Sequence, residues 1–113
     1  MYKRQAQLKA ELFKALAHPV RIRALEQLAS GERSVGELAS LLGVEISHLS
    51  QQLAVLRKVG VVENRREGTT VFYSVRDPRF VQFLTIAREM LIDSLQDSKA
   101  LLDTLESELA NRR

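Results

Sequence analysis

Between Ser34 and Val75, two glycines and one change of hydrophobic period leave this chain few architectures. SVGELASLLGVEISHLSQQLAVLRKVGVV reads as a short helix, a sharp turn at Gly43 and a second helix that Gly60 stops. NRREGTTVFYSV follows, rich in β-branched and aromatic residues, and the helical period gives way to a hairpin. In this order of elements the second helix can enter a major groove of DNA, while a basic hairpin tip reaches the adjacent backbone or minor groove. The segment is a winged helix-turn-helix, and it points to double-stranded DNA as partner.

Local signals set the boundaries. Ser34 with Glu37 three residues on matches a capping box, so a third helix runs from about Val35 to Leu42. The fourth helix spans roughly Glu45 to Val59. Two strands, Val61 to Arg65 and Thr70 to Val75, flank the loop Arg66-Glu67-Gly68-Thr69. Upstream, Leu8, Leu12, Phe13 and Leu16 recur at helical spacing over residues 5–16. His18-Pro19 interrupts that helix, with His18 as a capping or packing residue. Pro19 opens a second helix through Val20, Ile22, Leu25 and Leu28 to about Ser30, ended by Gly31.

Downstream, Asp77-Pro78 starts a last helix over residues 78–110. Phe80, Leu84, Ala87, Leu91, Leu95, Leu102, Leu105 and Leu109 form one stripe along it, broken only by Ser98. Phe80, Phe83, Leu84, Ala87 and Met90 can pack in part on the rest of the chain. A helix of ~30 residues is ~45 Å long, more than a body this small can cover. The far half therefore calls for a second copy, and the expected dimer interface comprises Leu8 and Leu12 with Phe83, Leu84, Ala87, Leu91, Leu95, Leu102 and Leu105. The chain of 113 residues fits one compact domain, or one small domain plus a protruding element. The expected fold is mainly α with a small β-hairpin, a single winged helix-turn-helix domain over residues 1–113 whose first and last helices form the dimer interface.

On the fourth helix Ile46, Leu49, Leu53 and Leu56 are spaced to face inward together. Ser47, His48, Gln51, Ala54, Val55 and Lys58 then point outward, with Ser50 and Gln52 at the flanks. Gln pairs bidentately with adenine, and Ser can donate or accept at several base edges. The N-terminal half of such a helix reaches the bases, which assigns base reading to Ser47, His48, Ser50, Gln51 and Gln52. Arg57 and Lys58, with Arg65, Arg66 and Thr69 at the hairpin tip, are the expected phosphate contacts. Two such helices in a dimer would face successive major grooves on a near-palindromic site.

Charge agrees with that placement. Residues 1–88 hold 14 Lys and Arg against 8 Asp and Glu, whereas residues 89–113 hold 3 against 6, so the cationic surplus lies with the reading segment. The chain has no cysteine, which excludes disulfides, thiolate metal sites and thiol nucleophiles. No apolar run approaches the ~20 residues a membrane span requires, and the start MYKRQAQLKAEL lacks a signal peptide's apolar stretch; a soluble, cytoplasmic protein is the expectation. No Gly-rich phosphate loop, HExxH or His/carboxylate cluster is visible, so an enzyme is not expected. No cofactor or metal site is expected either. The competing function is a winged-helix module that binds protein instead of DNA, for which an apolar or acidic reading face would speak; this one is polar with positive flanks.

LAHPVRIRALEQL, SVGELASLLGV leading into ISHLSQQLAVLRKVGVV, and RREGTTVFYSV together resemble the ArsR/SmtB family of bacterial winged helix-turn-helix regulators. The resemblance covers nearly the whole chain. It implies a homodimer joined by first and last helices, an operator-binding fourth helix, and repression commonly relieved by a ligand. The family's metal sites do not carry over. Ser34-Val35-Gly36 stands where metal-sensing members open the third helix with Cys-Val-Cys, and the last helix has no histidine. Asp93 and Asp97 would make only a weak hard-cation site. A small-molecule or metal effector, its identity open, completes the expected partners.

Overall fold

The structure, a computed structural model, describes residues 2–111. Its elements in chain order are α1 (Tyr2–Leu16), α2 (Pro19–Leu28), β1 (Arg33–Ser34), α3 (Val35–Leu42), α4 (Ile46–Lys58), β2 (Val62–Glu67), β3 (Thr70–Val75) and α5 (Arg79–Asn111). By its internal contacts the chain divides into two compact units, one ending at Val81 and one beginning at Gln82.

Helix ends in the first unit follow the local chemistry. The His18 ring caps α2, its Nδ1 accepting from the Val20 N–H at 3.1 Å, and Pro19 occupies the first turn, where its missing N–H costs nothing. Ser34 caps α3 by accepting from the Glu37 N–H at 3.1 Å. The Glu37 carboxylate lies 3.5 Å from Arg33. Gly43 ends α3 with φ 67°, a left-handed conformation that costs a residue with a Cβ dearly, and the Val44 N–H returns to the Ala39 carbonyl at 3.1 Å. This closes the turn between α3 and α4.

The sheet has three antiparallel strands in the order β1-β3-β2. β1 pairs Arg33 with Tyr73 and Ser34 with Phe72, anchoring the wing to the start of α3. That strand escaped the sequence reading. The hairpin also differs: β2 continues through Arg66 to Glu67, and the loop contracts to Gly68-Thr69, with Gly68 at φ 61°. A positive φ at the first of two turn residues matches a II′ hairpin, whose twist suits the strands. Arg66 and Glu67 looked like loop residues because they are charged, but all of β2 beyond Val62 is exposed, so charges there need no burial.

Leu25, Leu28, Leu38, Leu49, Leu53, Leu56, Val61 and Val62 are each below 2% exposed and form the centre of the first unit. They come from α2, α3, α4 and the wing, so the core itself fixes the angle between α3 and α4. Ile46 departs from expectation. It belongs to the same sequence stripe as Leu49, Leu53 and Leu56 but is 57% exposed. As the first residue of α4 it lies beyond the apolar body that covers the next turns.

The second unit holds α5 from Gln82 onward. No residue of α5 is buried; Leu91, Leu95, Leu102 and Leu105 are 65%, 70%, 54% and 48% exposed. On α1, Leu8 is exposed and Leu12 half-buried. No described helix is long and apolar enough to cross a membrane.

Candidate nucleic-acid interface

Burial of Leu49, Leu53 and Leu56 against α2, α3 and the wing forces the opposite side of α4 outward. Ser47, His48, Ser50 and Gln51 are exposed on its first two turns. Their hydroxyl, imidazole and amide groups are of the kind that pair with base edges, and being exposed they are open to a ligand. Ala54 one turn on is also exposed and keeps that face low enough for close approach.

Gln52 is different. It is half-buried, and its Oε1 accepts from Arg21 Nε at 2.7 Å, while Arg21 Nη1 donates to the Ala15 carbonyl at 3.1 Å. Gln52 thus ties α4 to α2 and the end of α1. This bond takes its acceptor away from an adenine. Arg57, expected on phosphate, donates from Nη1 to Asn64 Oδ1 at 3.3 Å, and Asn64 Nδ2 donates to the Tyr73 hydroxyl at 3.4 Å. That chain links the end of α4 to both long strands of the wing. Lys58 is exposed at the C-terminal end of α4 and borders a cavity of about 400 Å³ among α1, α2 and α4.

At the wing, Arg65 and Arg66 alternate across β2 and have opposite fates. The Arg65 guanidinium makes two hydrogen bonds to Glu32 and one to Glu67, and lies 4.4 Å from the Phe72 ring centroid. The hydrogen bond from Arg65 holds the Glu32 carboxyl below the usual carboxylate range; the two carboxylates in turn push the guanidinium's pKa up. Arg66 and Thr69 are exposed, Thr69 in the turn itself. A second cleft of about 430 Å³ lies between the start of α4 and the wing, with Ile46, Ser50, Thr70 and Val71 among its walls and no charged residue lining it.

His48, exposed on α4, has its ring centroid 6.3 Å from that of His18. Because His18 spends Nδ1 on the α2 cap, it is a structural residue beside the reading face. Among the described residues no three His, Cys, Asp or Glu side chains converge on a metal-sized site.

The residues foreseen for the interface therefore separate. Ser47, His48, Ser50, Gln51, Lys58, Arg66 and Thr69 are exposed on α4 and the wing, whereas Gln52, Arg57 and Arg65 hold the frame together. Ile46 is the residue that sequence reasoning placed on the wrong side. Only its position at the very start of the helix could have signalled this.

Comparison with known proteins identifies the family. The model of the arsR family of bacterial regulatory proteins matches residues 18–64, from the α2 cap through α4 into β2. The HTH-type transcriptional regulator Rv0081 of Mycobacterium tuberculosis is 52% identical over 101 residues, 88% of this chain and 89% of that one. Its crystal structure superposes with a TM-score of 0.75, covering 82% of this chain and 94% of that one. A transcriptional repressor SmtB homolog of Synechocystis is 42% identical over 94 residues, 83% of this chain and 68% of that one. The solution structure of Mb0332 from Mycobacterium bovis, described as a homodimeric winged helix-turn-helix DNA-binding domain, has a TM-score of 0.76 at 29% identity, covering 84% of this chain and 88% of that one.

Proposed function

The chain belongs to the arsR family of bacterial regulatory proteins, and from that premise we propose that it is a homodimeric transcriptional repressor that silences a promoter by occupying a near-palindromic operator. The observation that carries this reading is the exposed Ser47, His48, Ser50 and Gln51 face on α4, set beside a wing that offers Arg66 and Thr69. Polar base-reading groups flanked by cations are what a major groove and its bordering phosphates require. Lys58 and Arg66 hold phosphate, and the work is binding, not catalysis, done in the cytoplasm where the chromosome lies.

Dimer formation is supported by α5. Its 33 residues extend about 50 Å, and its leucine stripe is exposed in a single chain. Such a stripe is covered most simply by the same stripe of a second copy about a two-fold axis. The two copies of α4 then address grooves one helical turn apart. An effector relieves repression, and it is not a soft metal bound at the start of α3, where Ser34-Val35-Gly36 offers no thiolate.

Titration of the purified protein on duplexes from upstream of its own coding region, across a salt series, tests the proposal. The expected result is a protected two-fold site and an affinity that falls steeply with salt. Equal affinity for unrelated duplexes, or no salt dependence, overturns it.

A further inference from the structure

Resting on the operator-binding reading, we propose that Ile46 is a specificity residue, packing its side chain on the C5 methyl of a thymine in each half-site. Three observations converge. First, Ile46 is 57% exposed while Leu49, Leu53 and Leu56 of the same stripe are at 0%, so it contributes nothing comparable to the core. Second, it is the first residue of α4, on the turn that a helix-turn-helix brings nearest the base edges, and Ser47 and Ser50 beside it are exposed on that turn and the next.

Third, its surroundings admit an apolar group. Ile46 shares the cleft between α4, the start of α3 and the wing with Val35 and Val71, beside the hydroxyl residues Ser34, Ser50, Thr69 and Thr70, and no charged residue lines it. An aliphatic side chain there can therefore meet an apolar group without displacing an ion pair. The thymine methyl is the apolar protrusion of the major-groove edge, and aliphatic contact with it distinguishes thymine from cytosine. An exposed isoleucine that loses water only when DNA arrives converts that burial into sequence preference.

The test uses the full chain and the duplex it protects. Thymines are replaced one at a time by deoxyuridine, which keeps every hydrogen-bonding group and removes only the methyl. For the wild type, one thymine per half-site should be sensitive, each loss of methyl weakening binding about fourfold, the worth of one buried methyl-sized group. Ile46→Ala should bind the native duplex more weakly by a similar factor and be indifferent to deoxyuridine at that position, while Ile46→Val retains most of the sensitivity. Thermal melting of the variants checks their folding; if Ile46→Ala melts early, Ile46→Ser, which removes the same aliphatic surface, carries the comparison. Deoxyuridine costs that are equal at every position in wild type and in Ile46→Ala or Ile46→Ser, or absent throughout, overturn the proposal while leaving operator binding intact. A wild-type protein that binds no duplex removes both readings.

Discussion

Glu32 and Arg65, 33 positions apart, meet in a two-pronged ion pair: Arg65 Nη2 donates to Oε1 at 2.6 Å and Nε to Oε2 at 2.9 Å. Nη1 of the same guanidinium donates to Glu67 at 2.9 Å. The pair joins the segment before β1 to the middle of β2, so it fixes the wing against the entrance to α3. Arg65 is spent on positioning, and Arg66, its neighbour on the other face of β2, is left exposed.

Glu32→Gln therefore makes a prediction with an unexpected sign. Removing an acidic group near a DNA-binding face should by Coulomb attraction tighten binding. Because an amide cannot accept the fork of Arg65 as a carboxylate does, the wing loses its strut, and we expect severalfold weaker binding to specific and unrelated duplexes alike. Arg66→Ala should also weaken all sequences, but with the salt slope reduced by about one, as for loss of one phosphate contact. Fluorescence anisotropy at several salt concentrations separates the two. A tighter Glu32→Gln complex would show that Arg65 is a phosphate contact after all.

Acid stability carries the same ion pair. Glu32 is held below the usual carboxylate range chiefly by the hydrogen bond from Arg65, and Asp77 chiefly by that from the Arg79 side chain. A carboxyl with a lowered native pKa contributes stability that is present above its unfolded pKa, about 4, and is lost as pH falls through the native value. The melting temperature should hold steady above about pH 5 and decline below about pH 4. Glu32→Gln combined with Asp77→Asn should flatten part of that decline. Both groups are exposed, so the effect is small and shrinks in high salt. Circular dichroism melts from acid to neutral pH at two salt concentrations provide the check.

What could be read in the sequence was local. Ser34 as cap and Gly43 as turn act within four residues of themselves, so their spacing alone places α3 and the entry to α4. The apolar stripe of α5 likewise needs only periodicity. What escaped depends on distant partners. β1 is two residues long and exists only because β3 pairs with it. Gln51 and Gln52 are adjacent and chemically identical, and only Arg21, 31 positions upstream of Gln52, makes one structural and the other available. Ile46 obeys the core stripe in spacing, yet the apolar body ends before the helix does.

That distinction between the two glutamines is measurable. Gln51→Ala should relax sequence preference, reducing discrimination at one base pair by about 1–3 kcal/mol with little change in melting temperature. Gln52→Ala should do the reverse, lowering stability by on the order of 1 kcal/mol because Arg21 loses an acceptor, with base preference retained. Urea unfolding beside binding to a library of single-substituted duplexes distinguishes them. Loss of base preference in Gln52→Ala would return that residue to the reading face.

The exposed leucines of α5 supply the last prediction. Leu95 and Leu102 are 70% and 54% exposed and lie seven residues apart, two turns along one face. If that face meets its own copy about a two-fold axis, one substitution places a new charge on both sides of the contact. Leu95→Glu then sets carboxylates in an apolar seam, like charges near like, and dimer affinity should fall by on the order of a hundredfold. The change is at an exposed position of a single chain, so the first unit should keep its own fold, seen as unchanged cooperativity of its melt. Sedimentation equilibrium should show dimer for wild type and monomer for Leu95→Glu at the same concentration. Operator affinity should fall with it, because a monomer holds one half-site and forfeits the second contact that dimerisation makes intramolecular. An undiminished dimer would place the interface elsewhere on the chain and remove α5 from the account of how two reading helices come to be spaced for one duplex.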